Sequence, residues 1–233
     1  MNKYLFFRTD RVGDFLLTSV LLKSIKRNDP NSHITFVCSS KNYNYIKSFH
    51  LVDDAILYPE SNFLHKLSFL KKIRKEKYNC SFVCDGKKRS IYSSIFSISK
   101  SKVLFSTKPS YNFIFKSFFS KILIDKSNIS KILEFKEVLK FLNFSYSEKD
   151  LDTITVTTES HLPINISNFI LLHFDEKWIH NLYIKTYKSI EPNANQLLLF
   201  IKKIIINTNK NLVITTGIKS NFLLDQIKKE FEF

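Results

Sequence analysis

Residues 4–26 read Tyr-Leu-Phe-Phe-Arg-Thr-Asp-Arg-Val-Gly-Asp-Phe-Leu-Leu-Thr-Ser-Val-Leu-Leu-Lys-Ser-Ile-Lys. Tyr4–Phe7 is a continuous apolar, aromatic run, the pattern of a strand buried on both faces, and it ends at Arg8 before a turn containing Gly13. From Phe15 the period changes. Phe15, Leu16, Val20, Leu21, Leu22 and Ile25 recur at helical spacing until Asn28-Asp29-Pro30 stops them, and Ile34–Cys38 is a second apolar run. Strand, helix and strand within forty residues make a βαβ unit with parallel strands.

The alternation continues outward from that unit. A helix carries Leu64, Leu67, Leu70 and Ile73; Cys80–Cys84 is a strand ending in Asp85-Gly86; Lys102–Ser106 is another; and Leu133–Phe144 is a helix with Phe135, Val138, Leu139 and Leu142 turned inward. Asp150–Pro163, rich in Thr and Ser, reads as a linker. A second alternation follows: strand Phe169–His173, helix Asn195–Ile206, strand Leu212–Thr216 and helix Phe222–Phe231. The expected class is α/β, with one unit over 1–155 and the start of a second over 156–233.

Composition excludes several classes. The 233 residues are 44% hydrophobic and 24% charged, which is neither disordered nor fibrous. Lys202 and Lys203 interrupt the longest apolar stretches and Tyr4–Phe7 is too short for a signal's apolar region, so neither a membrane-spanning helix nor a secretory leader is expected. A cytoplasmic protein is the expectation. Cys38, Cys80 and Cys84 lack metal-site spacing and read as buried thiols. The net charge of +15 accompanies abundant Lys, Asn, Ile and Phe, a bias that A+T-rich coding alone can produce. With no helix-turn-helix, zinc or RNP-like pattern, no nucleic-acid partner is expected.

Gly13, Gly86 and Gly217, all the glycines of the chain, each fall just past a strand's carboxyl end. They serve either plain turns or close approach of a ligand, since open α/β sheets bind ligands at that edge. Asp14 stands near the positive end of the helix that follows, with Arg8 and Arg11 close by. It is either the N-cap of that helix or a carboxylate placed to take a proton from an attacking hydroxyl. Asp150-Leu151-Asp152 spells a metal-binding DxD, but within the linker, and no metal is expected. Lys108–Lys126 spaces Phe113, Phe118, Phe119 and Ile122 as one amphipathic helix, either a core helix or one lying on an anionic membrane.

The opening stretch resembles the start of the ADP-heptose:lipopolysaccharide heptosyltransferases, glycosyltransferase family 9, whose members begin with a strand, an R-x-D-x-[IV]-G-D turn and an L-T-[TS]-P helix start. Lys71–Gly86 resembles the family's next helix-to-strand passage, and Val20 stands where the family has proline. The resemblance implies a GT-B-like fold, with a Rossmann-like N-terminal domain and a second Rossmann-like domain that is incomplete here. It implies an inverting transfer, without metal or cofactor, from an ADP-heptose-like nucleotide-sugar to a lipid-linked glycan acceptor, with peripheral contact to the inner membrane. Asp14 matches the catalytic base, while Arg8, Arg11, Gly13 and Asp85 fall on the acceptor side. Phe169–Trp178 resembles the family's "K-x-W-P" segment, so Lys177, together with Thr216 and Gly217, matches the donor-binding positions. The family's D-[ST]-G-x-x-H region has no counterpart before Phe233. The alternative is an inactive remnant, or a module that binds a glycan or protein partner.

Overall fold

Phe6 sits at the centre of the larger sheet, its ring stacked on Phe82 at 4.4 Å and on Phe36 at 5.6 Å. In the computed structural model, which describes residues 1–60, 62–124, 130–151, 167–173, 194–215 and 222–231, contacts divide the chain into two compact units, Met1–Glu159 and Ser160–Phe233.

The first unit is a six-stranded, wholly parallel sheet. Its strands are β1 (Lys3–Phe7), β2 (His33–Cys38), β3 (Asp54–Leu57), β4 (Lys77–Val83), β5 (Ile98–Ser106) and β6 (Lys121–Ile124), in the spatial order β3-β2-β1-β4-β5-β6. That is the doubly wound Rossmann order. The helices are α1 (Val12–Asn28), α2 (Tyr43–Lys47), α3 (Phe63–Lys75), α4 (Lys88–Phe96), α5 (Ser110–Ile114) and α6 (Lys131–Phe141).

The period of two along each strand decides which core a side chain joins. Tyr4 and Phe6 of β1 pack with Phe15, Leu21 and Leu22 of α1, Ile46 of α2 and Phe135, Val138 and Leu139 of α6. Leu5 and Phe7 point the other way, toward Phe69 and Ile73 of α3, Ile91 of α4 and Tyr111 and Phe115 of the α5 region. Two-sided burial explains why Tyr4–Phe7 reads as an unbroken apolar run.

Several expectations need correction. Leu64 and Leu67 are exposed, and α3 buries Phe69 and Ile73 instead. Lys108–Lys126 is not one helix. Pro109 starts a five-residue α5, and Lys121–Ile124 pairs with Val103–Ser106 as the edge strand β6. A β-branched run beside an open parallel edge is better used as a strand than as a helix. Asp150 is not linker either, because it is only 5% exposed. Its carboxylate accepts from Ser24 Oγ at 2.6 Å and from Arg27 Nε and Nη2 at 3.0 Å each, docking the 3-10 turn Glu148–Leu151 on α1. Burial alone would raise its pKa; the Arg27 and Ser24 hydrogen bonds outweigh that and hold it below the usual carboxylate range. Those donors occupy the oxygens a DxD would offer a metal, and Asp152 lies outside the described residues.

The second unit contains β7 (Phe169–His173) and β8 (Asn211–Thr215), paired in parallel, with α7 (Ala194–Asn207) and α8 (Phe222–Phe231). Leu197, Ile201 and Ile227 form its core. Among the described residues no helix is long and apolar enough to cross a membrane.

Candidate active site

In a sheet of this order the connections leave β1 and β4 in opposite directions, opening a crevice outside their carboxyl ends. The turn Arg8–Arg11 follows β1 and the turn Cys84–Lys87 follows β4, so both border that crevice. A pocket of about 230 Å³ opens there, lined by Arg8, Asp10, Asp14, Asp85, Phe105 and Lys131 among others. A smaller hollow of about 80 Å³ adjoins it beside Leu17, Thr18 and Phe135. A larger cavity of about 420 Å³ lies at the opposite, amino edge of the sheet. There the Lys3–Glu76 and His33–Asp54 pairs already match charge with charge. Topology favours the carboxyl edge, where the side chain of Asp14, though paired with Arg8, stays 43% exposed.

Arg8 organises the site. Its Nη1 donates to the Cys84 carbonyl, Nη2 lies 3.1 Å from Asp14 Oδ1, and Nε lies 3.1 Å from Asp10 Oδ1. The Nε–Asp10 contact is within ion-pair reach but lacks hydrogen-bond geometry, and both atoms are otherwise unpartnered. Arg8's own carbonyl accepts from Asn42 Nδ2 at 3.0 Å, which fixes the backbone where β1 ends. The planar guanidinium bonds a carbonyl while lying within ion-pair distance of two carboxylates, a spread that a lysine ammonium could not match in geometry.

Asp14 is the third residue of α1, whose N-cap is Arg11. It is therefore not the cap, and its side chain is 43% exposed at the pocket while Arg8 sets its orientation. Gly13 lies inside the first turn of α1, with open space around the position of a Cβ. The tight turn expected of it is absent, because the chain is already helical there; what Gly13 leaves open is bare backbone facing solvent. Gly86 does adopt the left-handed region at φ 59°, and a Cβ there would meet the Phe105 carbonyl at 3.1 Å. Arg11 is exposed beside the turn.

Asp85 is a fastening. Its Oδ2 accepts from Thr9 N at 3.0 Å, Thr9 Oγ1 at 2.7 Å and Ser90 Oγ at 2.8 Å, and its Oδ1 from Lys87 N at 3.1 Å. Thr9 also receives Arg89, whose Nη2 lies 2.7 Å from Oγ1 and 3.1 Å from the Thr9 carbonyl. The sequence offers Asp10 as an ion-pair partner for Arg8 or Arg11, and Arg8 takes that place; Thr9, Arg89 and Lys131 are functional-site residues it does not single out. For Thr9 the one signal is its place in the Arg-Thr-Asp turn, a hydroxyl between two charges.

Burial pushes the Asp10 carboxyl up to about 6; Arg8 opposes the shift, while Asp14 and Asp85 add to it. A carboxyl held above its ordinary value binds its proton more tightly in the folded chain than in the unfolded one. The folded state therefore loses stability as pH climbs from about 4 to 6, by about 1–2 kcal/mol once solvent access to this partly exposed side chain is allowed for. Asp10→Asn is expected to gain on the parent in thermal unfolding above pH 6, with the difference shrinking below pH 4. A difference independent of pH would show that Asp10 titrates normally.

Cys38, Cys80 and Cys84 are free and buried. Burial pushes the Cys38 and Cys80 thiols up to about 12 and Cys84 higher still, which leaves them inert as nucleophiles near neutrality. In the second unit, His173 Nδ1 and Thr215 Oγ1 meet at 2.9 Å, at the carboxyl ends of β7 and β8. Lys177, Thr216 and Gly217 lie outside the described residues.

No family model and no curated protein matches the sequence. Solved structures do match its fold. Escherichia coli heptosyltransferase WaaC with ADP-2-deoxy-2-fluoro heptose superposes with a TM-score of 0.72 at 12% identity, over 99% of this chain and 74% of that one. E. coli ADP-heptose lps heptosyltransferase II gives 0.63 at 11% identity, over 99% and 69%. A glycosyl transferase family 9 protein from Veillonella parvula DSM 2008 gives 0.58 at 16%, over 94% and 70%. The six-stranded parallel sheet thus carries the α/β, GT-B-like fold of these heptosyltransferase and family 9 structures.

Proposed function

We propose that the chain is a glycosyltransferase that moves a heptose-like sugar from an ADP-heptose-like nucleotide-sugar to a hydroxyl of a lipopolysaccharide core or related surface glycan. The supporting observation is the Asp14 carboxylate, exposed in the pocket at the crevice between β1 and β4 and oriented by Arg8. In this reading the acceptor hydroxyl attacks the anomeric carbon as the bond to the diphosphate breaks. Asp14 takes the hydroxyl proton, and the configuration inverts. Lys177, Thr216 and Gly217 receive the leaving diphosphate. The assignment of those three residues, and of a metal-free reaction, rests on the family resemblance.

The test is acceptor-dependent release of ADP from ADP-heptose, using heptose-free lipopolysaccharide core as acceptor and chelator present throughout. Turnover with an inverted anomeric product supports the proposal. Binding of either substrate without turnover would favour the binding-module alternative, and binding of neither would overturn both.

A further inference from the structure

Between Gly86 and Ile124 the sequence contains seven Lys and one Arg but neither Asp nor Glu. The fold gathers this acid-free stretch into α4, β5, α5 and β6 at one end of the sheet. Some of its cations serve the fold: Lys87 bonds the Thr9 carbonyl, Lys102 the Ile95 and Ser97 carbonyls, and Lys121 pairs with Glu137 of α6. Lys88, Lys100, Lys108 and Lys116 are exposed.

Large apolar side chains share that surface. Phe113 is 90% exposed, Ile114 55% and Phe118 53%, and Tyr92 and Phe96 of α4 are about half exposed. On the opposite face of the sheet, by contrast, α1 and α6 expose only Leu17 and Leu133 among their large hydrophobics. The exposure is built in. Tyr111, Phe115 and Phe119 anchor the α5 turn inward, and the bonds from Phe115 N to Tyr111 O and from Phe118 N to Phe115 O close it. Phe113, Ile114 and Phe118 are thereby held outward on a fixed turn. No amphipathic helix is needed.

The geometry points to an anionic lipid bilayer as the occupant of this surface, with Phe113 and Ile114 entering the headgroup boundary and Lys108 and Lys116 meeting lipid phosphates. A second copy fits less well, because joining two such patches sets the exposed Lys108 and Lys116 of one copy against those of the other. A nucleic acid would use the lysines but leave the outward phenylalanines and isoleucine without a base-stacking groove.

The experiment is co-sedimentation of the full chain with vesicles of phosphatidylcholine alone or with phosphatidylglycerol added. Binding to the anionic vesicles is expected, falling about tenfold or more in Phe113→Ser/Ile114→Ser and again in Lys108→Glu/Lys116→Glu or in high salt. Circular dichroism checks that these surface variants keep the fold. The proposal is overturned by absence of binding to anionic vesicles, or by apolar variants that bind as the parent does. It is equally overturned by a concentration-dependent dimer that Phe113→Ser/Ile114→Ser abolishes, or by single-stranded RNA held more tightly than the vesicles. No sugar enters the assay, so its outcome is separate from that of the transferase test.

Discussion

Asp14→Asn is expected to lower acceptor-dependent sugar transfer by about 10²- to 10⁴-fold, the range that a positioned general base contributes. Asparagine has nearly the same volume and keeps an oxygen toward Arg8 Nη2, which pairs with Asp14 Oδ1 at 3.1 Å, but it cannot take a proton. The carboxylate is 43% exposed, so the exchange leaves no buried group unpaired. Unfolding temperature should accordingly stay within roughly 2 °C of the parent, as for most exposed substitutions. Asp14→Glu, which keeps the base but shifts it by a methylene, should recover part of the rate. A parent-like turnover in Asp14→Asn would remove the proton acceptor from the proposed reaction, and with it the functional role of the pocket. Loss of binding together with turnover would assign Asp14 to substrate affinity instead.

Much of the fold was legible because burial on both sides of a parallel sheet forces apolar runs such as Tyr4–Phe7 and Ile34–Cys38, which few other arrangements need. Phe169–His173 and Phe222–Phe231 were readable to the residue for a related reason, an apolar run or stripe bounded by polar turns. Two kinds of element were hidden. The short β3 and α2 carry too few residues for a period to show, and α4 is masked by its serines, which are buried through contacts such as Ser81 Oγ to Ser94 Oγ at 2.9 Å. The phenylalanines of 113–119 occur at near-helical spacing, yet they divide between core and solvent across a turn, a distinction made only once β6 takes its place beside β5. In the site, strand ends and charge located Arg8, Asp14 and Asp85. The bonding of Thr9 to Asp85 and Arg89, across some eighty residues of sequence, follows from the β1–β4 pairing and has no local signature.

That pairing sets the second large effect, the loss of stability in Asp85→Ala. Thr9 is 3% exposed, so its N–H and hydroxyl find no ready water when the carboxylate is removed. Ser90 and the Lys87 N–H lose the same acceptor, and Arg8, Lys87 and Arg89 lose the negative charge among them. Stranded donors and uncompensated cations together cost about 3 kcal/mol, after discounting for a partly solvated turn. A domain of this size should then unfold roughly 6–12 °C lower. Asp85→Asn should fall between the two, since one side of an amide can serve Thr9 and Ser90 while the other presents a donor to the Lys87 N–H. Transfer should also weaken in Asp85→Ala, because the β1 turn that carries Arg8 keeps, on the β4 side, only its bonds to the Cys84 carbonyl, Lys87 and Arg89 once the carboxylate that holds Thr9 is gone. The discriminating measurement pairs thermal unfolding with acceptor affinity. A fall in both follows from a fastening, whereas an unchanged unfolding temperature with weakened acceptor binding would mean that Asp85 touches the acceptor and the two turns hold together without it.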